Sequence, residues 1–335
     1  MRSERVIFLL AASLLAVCAS AHHASTGRYD PNTFGTIEGE ITDIFWRNPH
    51  VRFLISRTNE AGQVEEWEVE FGSVNTVERL GVSRDAIAVG DRISVYGRMG
   101  GNGLTAMFAR DIVLDTGEEL PLQADPEQRY GMTDQAFEAA DNADEALRSD
   151  IFRVWVPVSR PRTGFGAIDW PLTEAGRAAK AAWDPENDPA LRCIPPGLPT
   201  AMDNPYPVQF VDRGDTIAFL LEEWDGERTI YLNGTGAPVQ PYMGRSVGRW
   251  EGDTLVVRTT DIDWRYLDDL GTPQSEDVVI DERFWLSNDG TDLFWEATIT
   301  DPVNFTEPVV MEASWTWVPG NTIKPFDCAL PEATE

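Results

Sequence analysis

After Pro207 the chain is interrupted at short intervals by Gly-Asp or Asp-Gly pairs, at Gly214-Asp215, Asp225-Gly226, Gly252-Asp253 and Asp289-Gly290. Such pairs accept the positive φ angles of tight hairpin turns. The stretches between them, 216–224, 228–232, 254–261, 278–286, 293–299 and 309–318, are rich in β-branched and aromatic residues and read as strands. Consecutive hairpins at this spacing predict an antiparallel β-barrel or sandwich over 151–335. An up-and-down, lipocalin-like barrel with an interior cavity is one form of it.

The N-terminal part is also β-rich. Alternating residues from Gly35 to Phe45, then Val51, Phe53 and Ile55 after the Asn48-Pro49 break, predict two strands joined by a tight turn. A third strand covers 64–71, a short helix capped by Ser73 covers 73–80, and strands follow from Ile93 to Gly97 and over 106–114. Three strands, a helix and two strands predict a five-stranded OB-like barrel over 22–118. Residues 119–150 read as an acidic, partly helical linker and Thr173 as the cap of a further helix, so the whole chain is expected to be mainly β with short helices.

Arg2 and Arg5, an apolar run over 6–17 and Ala19-Ser20-Ala21 make residues 1–21 a secretory signal with a small-residue cleavage site. The run is shorter than the roughly 20 residues a membrane span needs, so no transmembrane segment is expected. The expected location is periplasmic or secreted, with a lipoprotein acylated at Cys18 as the alternative. Removal of Cys18 leaves Cys193 and Cys328, an even pair that an oxidising compartment would join as a disulfide. The 27 basic and 56 acidic residues give a net charge of −29, which makes nucleic acid and anionic membrane surfaces poor partners. Only Lys180 and Lys324 are lysines, a composition that also suits a solvated surface in saline water.

The three histidines are His22, His23 and His50. Cleavage after Ala21 would free the α-amine of His22, which with its imidazole and a second imidazole gives a nitrogen set suited to Cu(II). Equally, His22 and His23 fit a solvated terminus and His50 a cap on the Asn48-Pro49 turn. On strand 278–286, Glu282 shares a face with Ile280 and Phe284, where a carboxylate needs a partner; Arg283, Arg249 and Arg228 are candidates. Glu222 stands similarly beside Leu220 and Trp224. Glu222, Arg249, Trp250, Glu282 and Arg283 are therefore candidate ligand-binding residues. The carboxylates also fit an acid and base pair, or a structural ion-pair cluster. Trp250, Trp285, Trp295, Trp315 and Trp317 would line a cavity or pack a core. No Gly-x-Ser-x-Gly, His-Glu-x-x-His, Cys-x-x-Cys or phosphate-binding glycine loop is present.

His22-His23-Ala24-Ser25, Gly39 with Ile41, Phe45-Trp46-Arg47-Asn48-Pro49-His50-Val51, Trp67-Glu68-Val69-Glu70 and Gly90-Asp91 resemble DUF6152, a family of secreted bacterial proteins with small OB-like domains. The resemblance covers about residues 22–115 and implies that the His-His and Asn-Pro-His elements belong together, with no activity to carry across. The segment Cys193-Ile194-Pro195-Pro196-Gly197-Leu198-Pro199, the run from Gly244 to Val257, Glu282-Arg283-Phe284 and Asp301-Pro302 resemble a β-rich domain of other exported bacterial proteins. Arg245 stands where those relatives carry histidine, which argues against a metal there.

Three functions remain open from the sequence. One is a binding protein for a small-molecule ligand, with a copper site at the mature N-terminus. Another is an extracytoplasmic enzyme, copper-dependent at His22 or using Glu222 and Glu282 as acid and base. The last is an envelope scaffold that binds another protein.

Overall fold

The computed structural model describes residues 28–330, except 123–124, 145–146, 148, 159–167, 185–187 and 269. Its first sheet holds β1 (Tyr29–Phe45), β2 (Arg52–Thr58), β3 (Val64–Glu70), β4 (Arg92–Gly100), β5 (Ala106–Leu114) and β6 (Glu119–Pro121). β1 pairs antiparallel with both β2 and β4, and β3 pairs parallel with β5. The ring β1-β2-β3-β5-β4 is therefore closed, as the OB-like expectation required. Ile37, Ile41, Phe53, Ile55, Val69 and Val95 point inward and are essentially sealed from solvent. Gly39 lets β1 and β2 approach: a Cβ there would stand 2.4 Å from Ile55 Cγ2 and 2.6 Å from the Ser56 carbonyl oxygen. The short helix Val74–Arg79 bridges β3 and β4, and the Ser73 hydroxyl accepts from the Thr76 amide at 3.1 Å as its N-cap. β6 carries the sheet past the expected boundary at 118.

The second unit is a closed nine-stranded barrel: β7 (Val154–Pro157), β8 (Val208–Asp212), β9 (Thr216–Leu221), β10 (Gly226–Tyr231), β11 (Arg245–Glu251), β12 (Thr254–Thr260), β13 (Val279–Leu286), β14 (Asp292–Thr300) and β15 (Val309–Thr316). Each strand pairs with the next in sequence, and β15 returns to β7, giving the up-and-down arrangement. An odd number of alternating strands cannot close without one parallel contact. That seam lies between β10 and β11, where a Cβ on Gly248 would come within 2.6 Å of Ile230 Cγ2.

β7, β8 and β11 were not expected from the sequence. The first two are short and lie beside prolines. β11 reads Arg-Ser-Val-Gly-Arg-Trp-Glu, with too few apolar residues to alternate. The expected strand over 216–224 stops at Leu221 because Trp224 and Asp225 take φ values of 62° and 51°, which turn the chain. Helices Asp134–Asp141 and Glu174–Ala181 begin at Thr133 and Thr173, whose hydroxyls accept from the amides of Ala136 and Gly176. No described helix is long and apolar enough to cross a membrane.

Candidate functional site

The barrel interior holds one polar layer inside an apolar core. Arg228 on β10 extends past Ser246 on β11 and Thr259 on β12 to Glu282 on β13. Its Nε donates to Ser246 Oγ at 2.7 Å, and one terminal nitrogen donates to Thr259 Oγ1 at 2.6 Å. The two terminal nitrogens grip the two oxygens of Glu282, one at 3.0 Å and the other in a shorter contact. Trp295 Nε1 adds a bond to Glu282 Oε1 at 2.9 Å, and Thr259 Oγ1 one to Oε2 at 3.3 Å. Arg228 and Glu282 are 0% and 1% exposed. Both carboxylate oxygens are committed, so the arrangement offers no face for proton transfer with a substrate in solution. It is a structural ion pair of the kind that is stable only when fully hydrogen-bonded. Phe210, Phe219 and Phe284 pack edge to face and tilted around the same interior, with ring centroids 4.6–5.8 Å apart.

Of the three arginines that could pair with Glu282, the inward parity of β10 selects Arg228. Arg249 and Arg283 point outward and both meet Glu251, at 2.5 and 3.5 Å. Glu222 is not in the barrel interior either. It directly follows β9, at the contact with the first barrel, where Arg79 donates to both its oxygens at 2.5 Å. Asn75 Nδ2 and the Lys324 amide each add a bond at 3.0 Å. Burial disfavours the Arg79 cation, but bonding to Glu222 outweighs it and holds the guanidinium above its usual pKa.

The same contact contains the Asn48-Pro49-His50 turn. Asn48 is 4% exposed; its Oδ1 accepts from the Val74 amide, its Nδ2 donates to Asn75, and its carbonyl accepts from the Ala329 amide. Next to Ala329, Cys328 is joined to Cys193 in the expected disulfide. The turn thus receives the C-terminal segment. His50 Nδ1 meets Glu70, whose other oxygen accepts from the Tyr29 hydroxyl at 2.9 Å. Burial, followed by the charge of Glu70, pushes the Tyr29 phenol well above its ordinary pKa. His22 and His23 lie outside the described residues. Among the described residues, no group of three or more His, Cys, Asp or Glu side chains is placed to hold a metal ion.

The tryptophans named from the sequence divide into two sets. Trp295, Trp315 and Trp317 are 1–7% exposed and belong to the core. Trp250 and Trp285 lie at one end of the barrel, on a groove of about 740 Å3. Its walls are the β11–β12 turn with Asp253, the β13–β14 turn with Asn288 and Asp289, and residues 149–152 leading into β7. Trp250 is 41% exposed and lies edge-on to Phe152 at 6.5 Å, while Trp285 stacks on Phe294 at 5.7 Å. Arg153 braces this end from behind. Its guanidinium lies 4.3 and 4.2 Å from the rings of Trp155 and Trp317 and donates to the carbonyls of Gly290 and Leu147. Burial lowers its pKa to about 10, still charged at neutral pH.

Asp150, Asn288 and Phe152 carry no signal in the sequence reading, and Asp253 and Asp289 enter it only as turn residues. The available signal was positional: Trp250 and Trp285 each stand just ahead of a Gly-Asp or Asp-Gly turn, and alternate hairpin turns of an up-and-down barrel share one end. A second groove, of about 660 Å3, lies over β1 and β2 and is lined by Glu38, Glu40, Arg57 and Arg92 among others, with charges of both signs and no aromatic ring.

Residues 10–107 match the family model described as a family of unknown function, DUF6152. The match falls on the first barrel and leaves the nine-stranded barrel outside it. No curated protein matches the chain.

Proposed function

We propose that this chain is an extracytoplasmic binding protein whose small-molecule site is the groove at the end of the nine-stranded barrel. The observation that carries this reading is Trp250, a large apolar side chain left 41% exposed beside Phe152 and Trp285 in a concavity bordered by polar turns. Aromatic surface with a few converging polar groups is the usual make-up of a ligand pocket. The disulfide and the N-terminal leader pattern support an oxidising compartment outside the cytoplasm. Because Arg228, Glu282 and the phenylalanines occupy the barrel interior, the ligand sits at the rim rather than inside. In a thermal-shift panel of small molecules, compounds that raise the wild-type Tm should lose that effect in Trp250→Ala. Ligands that stabilise both proteins equally would contradict the assignment.

A second reading, Cu(II) bound at a mature N-terminus by His22 and His23 with His50, is favoured by one contact. A carboxylate at one ring nitrogen orients a metal-ligating histidine, and Glu70 stands in that relation to His50 Nδ1. Native mass spectrometry of the mature protein with one equivalent of Cu(II) should show a single retained ion that His22→Ala loses. Equal retention in the variant would remove this reading.

A further inference from the structure

We propose that the rim groove selects an organic cation of the quaternary-ammonium class; this inference rests on the binding reading above. Three carboxylates, Asp150, Asp253 and Asp289, border it, and none of its described lining residues is basic. Three aromatic rings, those of Phe152, Trp250 and Trp285, supply the apolar surface. Rings that present a negative face beside carboxylates attract a methylated ammonium, which sheds its weakly held water at little cost. An anion would meet the repulsion of all three carboxylates.

The surrounding charges fit this choice. Asp289 accepts from the hydroxyls of Ser287 and Thr291 and from the Thr291 amide, which lowers its pKa to about 2 and keeps it ionised at any physiological pH. Asp150 accepts from the Phe152 amide at 2.8 Å and so stays fixed at the wall. Among the described residues, the arginines near this end are already engaged: Arg249 and Arg283 with Glu251, and Arg153 behind Gly290 between two indole rings. The net charge of −29 adds a long-range field that raises the local concentration of cations.

The test compares choline with 3,3-dimethyl-1-butanol, its neutral carbon isostere, by calorimetric titration of the full mature chain. Choline should bind about tenfold more tightly than the isostere, and its affinity should fall as salt is added. Trp250→Ala should lose both ligands. Asp253→Asn should weaken choline by about threefold and leave the isostere unchanged. Both side chains are exposed, and an unchanged Tm confirms that the variants fold. An isostere that binds as tightly as choline, with both lost in Trp250→Ala, overturns the cation inference and leaves the groove reading standing. Failure of both compounds also overturns the cation class; the groove itself falls only if no compound of the wider panel depends on Trp250.

Discussion

Arg228→Met should destabilise the protein by about 3–5 kcal/mol, because it leaves the Glu282 carboxylate buried without its counter-ion. Glu282 would keep the bonds from Trp295 and Thr259, but neither supplies a charge. Arg228→Met combined with Glu282→Leu should recover most of the loss, since both charges go and the volume remains apolar. Urea denaturation of the wild type, the two single variants and the double variant gives the coupling directly. Single variants that cost less than about 1 kcal/mol would mean that water reaches the pair, and with it that the barrel interior is accessible to ligands.

Removing the disulfide by Cys193→Ser with Cys328→Ser should cost about 2–5 kcal/mol, since the bond closes a loop of 135 residues. The effect has a definite location. Cys328 lies beside Ala329, whose amide bonds to Asn48, and four residues after Lys324, whose amide bonds to Glu222. Freed of the covalent tie, this segment should open before either barrel does. Hydrogen exchange should therefore accelerate first over 320–330 and at helix Val74–Arg79, with β12 to β14 still protected. Uniform acceleration through the nine-stranded barrel would show that the tie stabilises that barrel and not its contact with the first.

The N-terminal ring was legible because its strands alternate cleanly around a proline break: Ile37 and Ile41 face inward, and Asn48-Pro49 separates β1 from β2. The large barrel was legible in kind but not in strand number. β11 has glycine and serine where it faces the core, because Arg228 fills that space and a bulky residue at Gly248 would collide with Ile230. A strand that packs against a long polar side chain loses the apolar alternation by which strands are read. The alternation of β13 shows Glu282 as an inward carboxylate, but its partner depends on the parity of a strand three places away in the barrel, which local pattern does not choose among Arg228, Arg249 and Arg283.

Glu222 lies one residue past β9, where alternation no longer says what a side chain faces. It meets Arg79, more than 140 residues earlier, and no local pattern encodes such a contact. The rim groove has the same character. Its aromatic residues were visible, but Phe152 and Asp150 join them only once β15 closes on β7.

The most direct measurement of the binding account is the 19F spectrum of protein grown with 5-fluorotryptophan, titrated with any compound that raises the Tm of the wild type. The resonances of Trp250 and Trp285 should move, while those of Trp155, Trp295 and Trp315, which are buried in the core, stay in place. A shift confined to Trp295, the indole that donates to Glu282, would place the ligand inside the barrel and contradict the assignment to the rim.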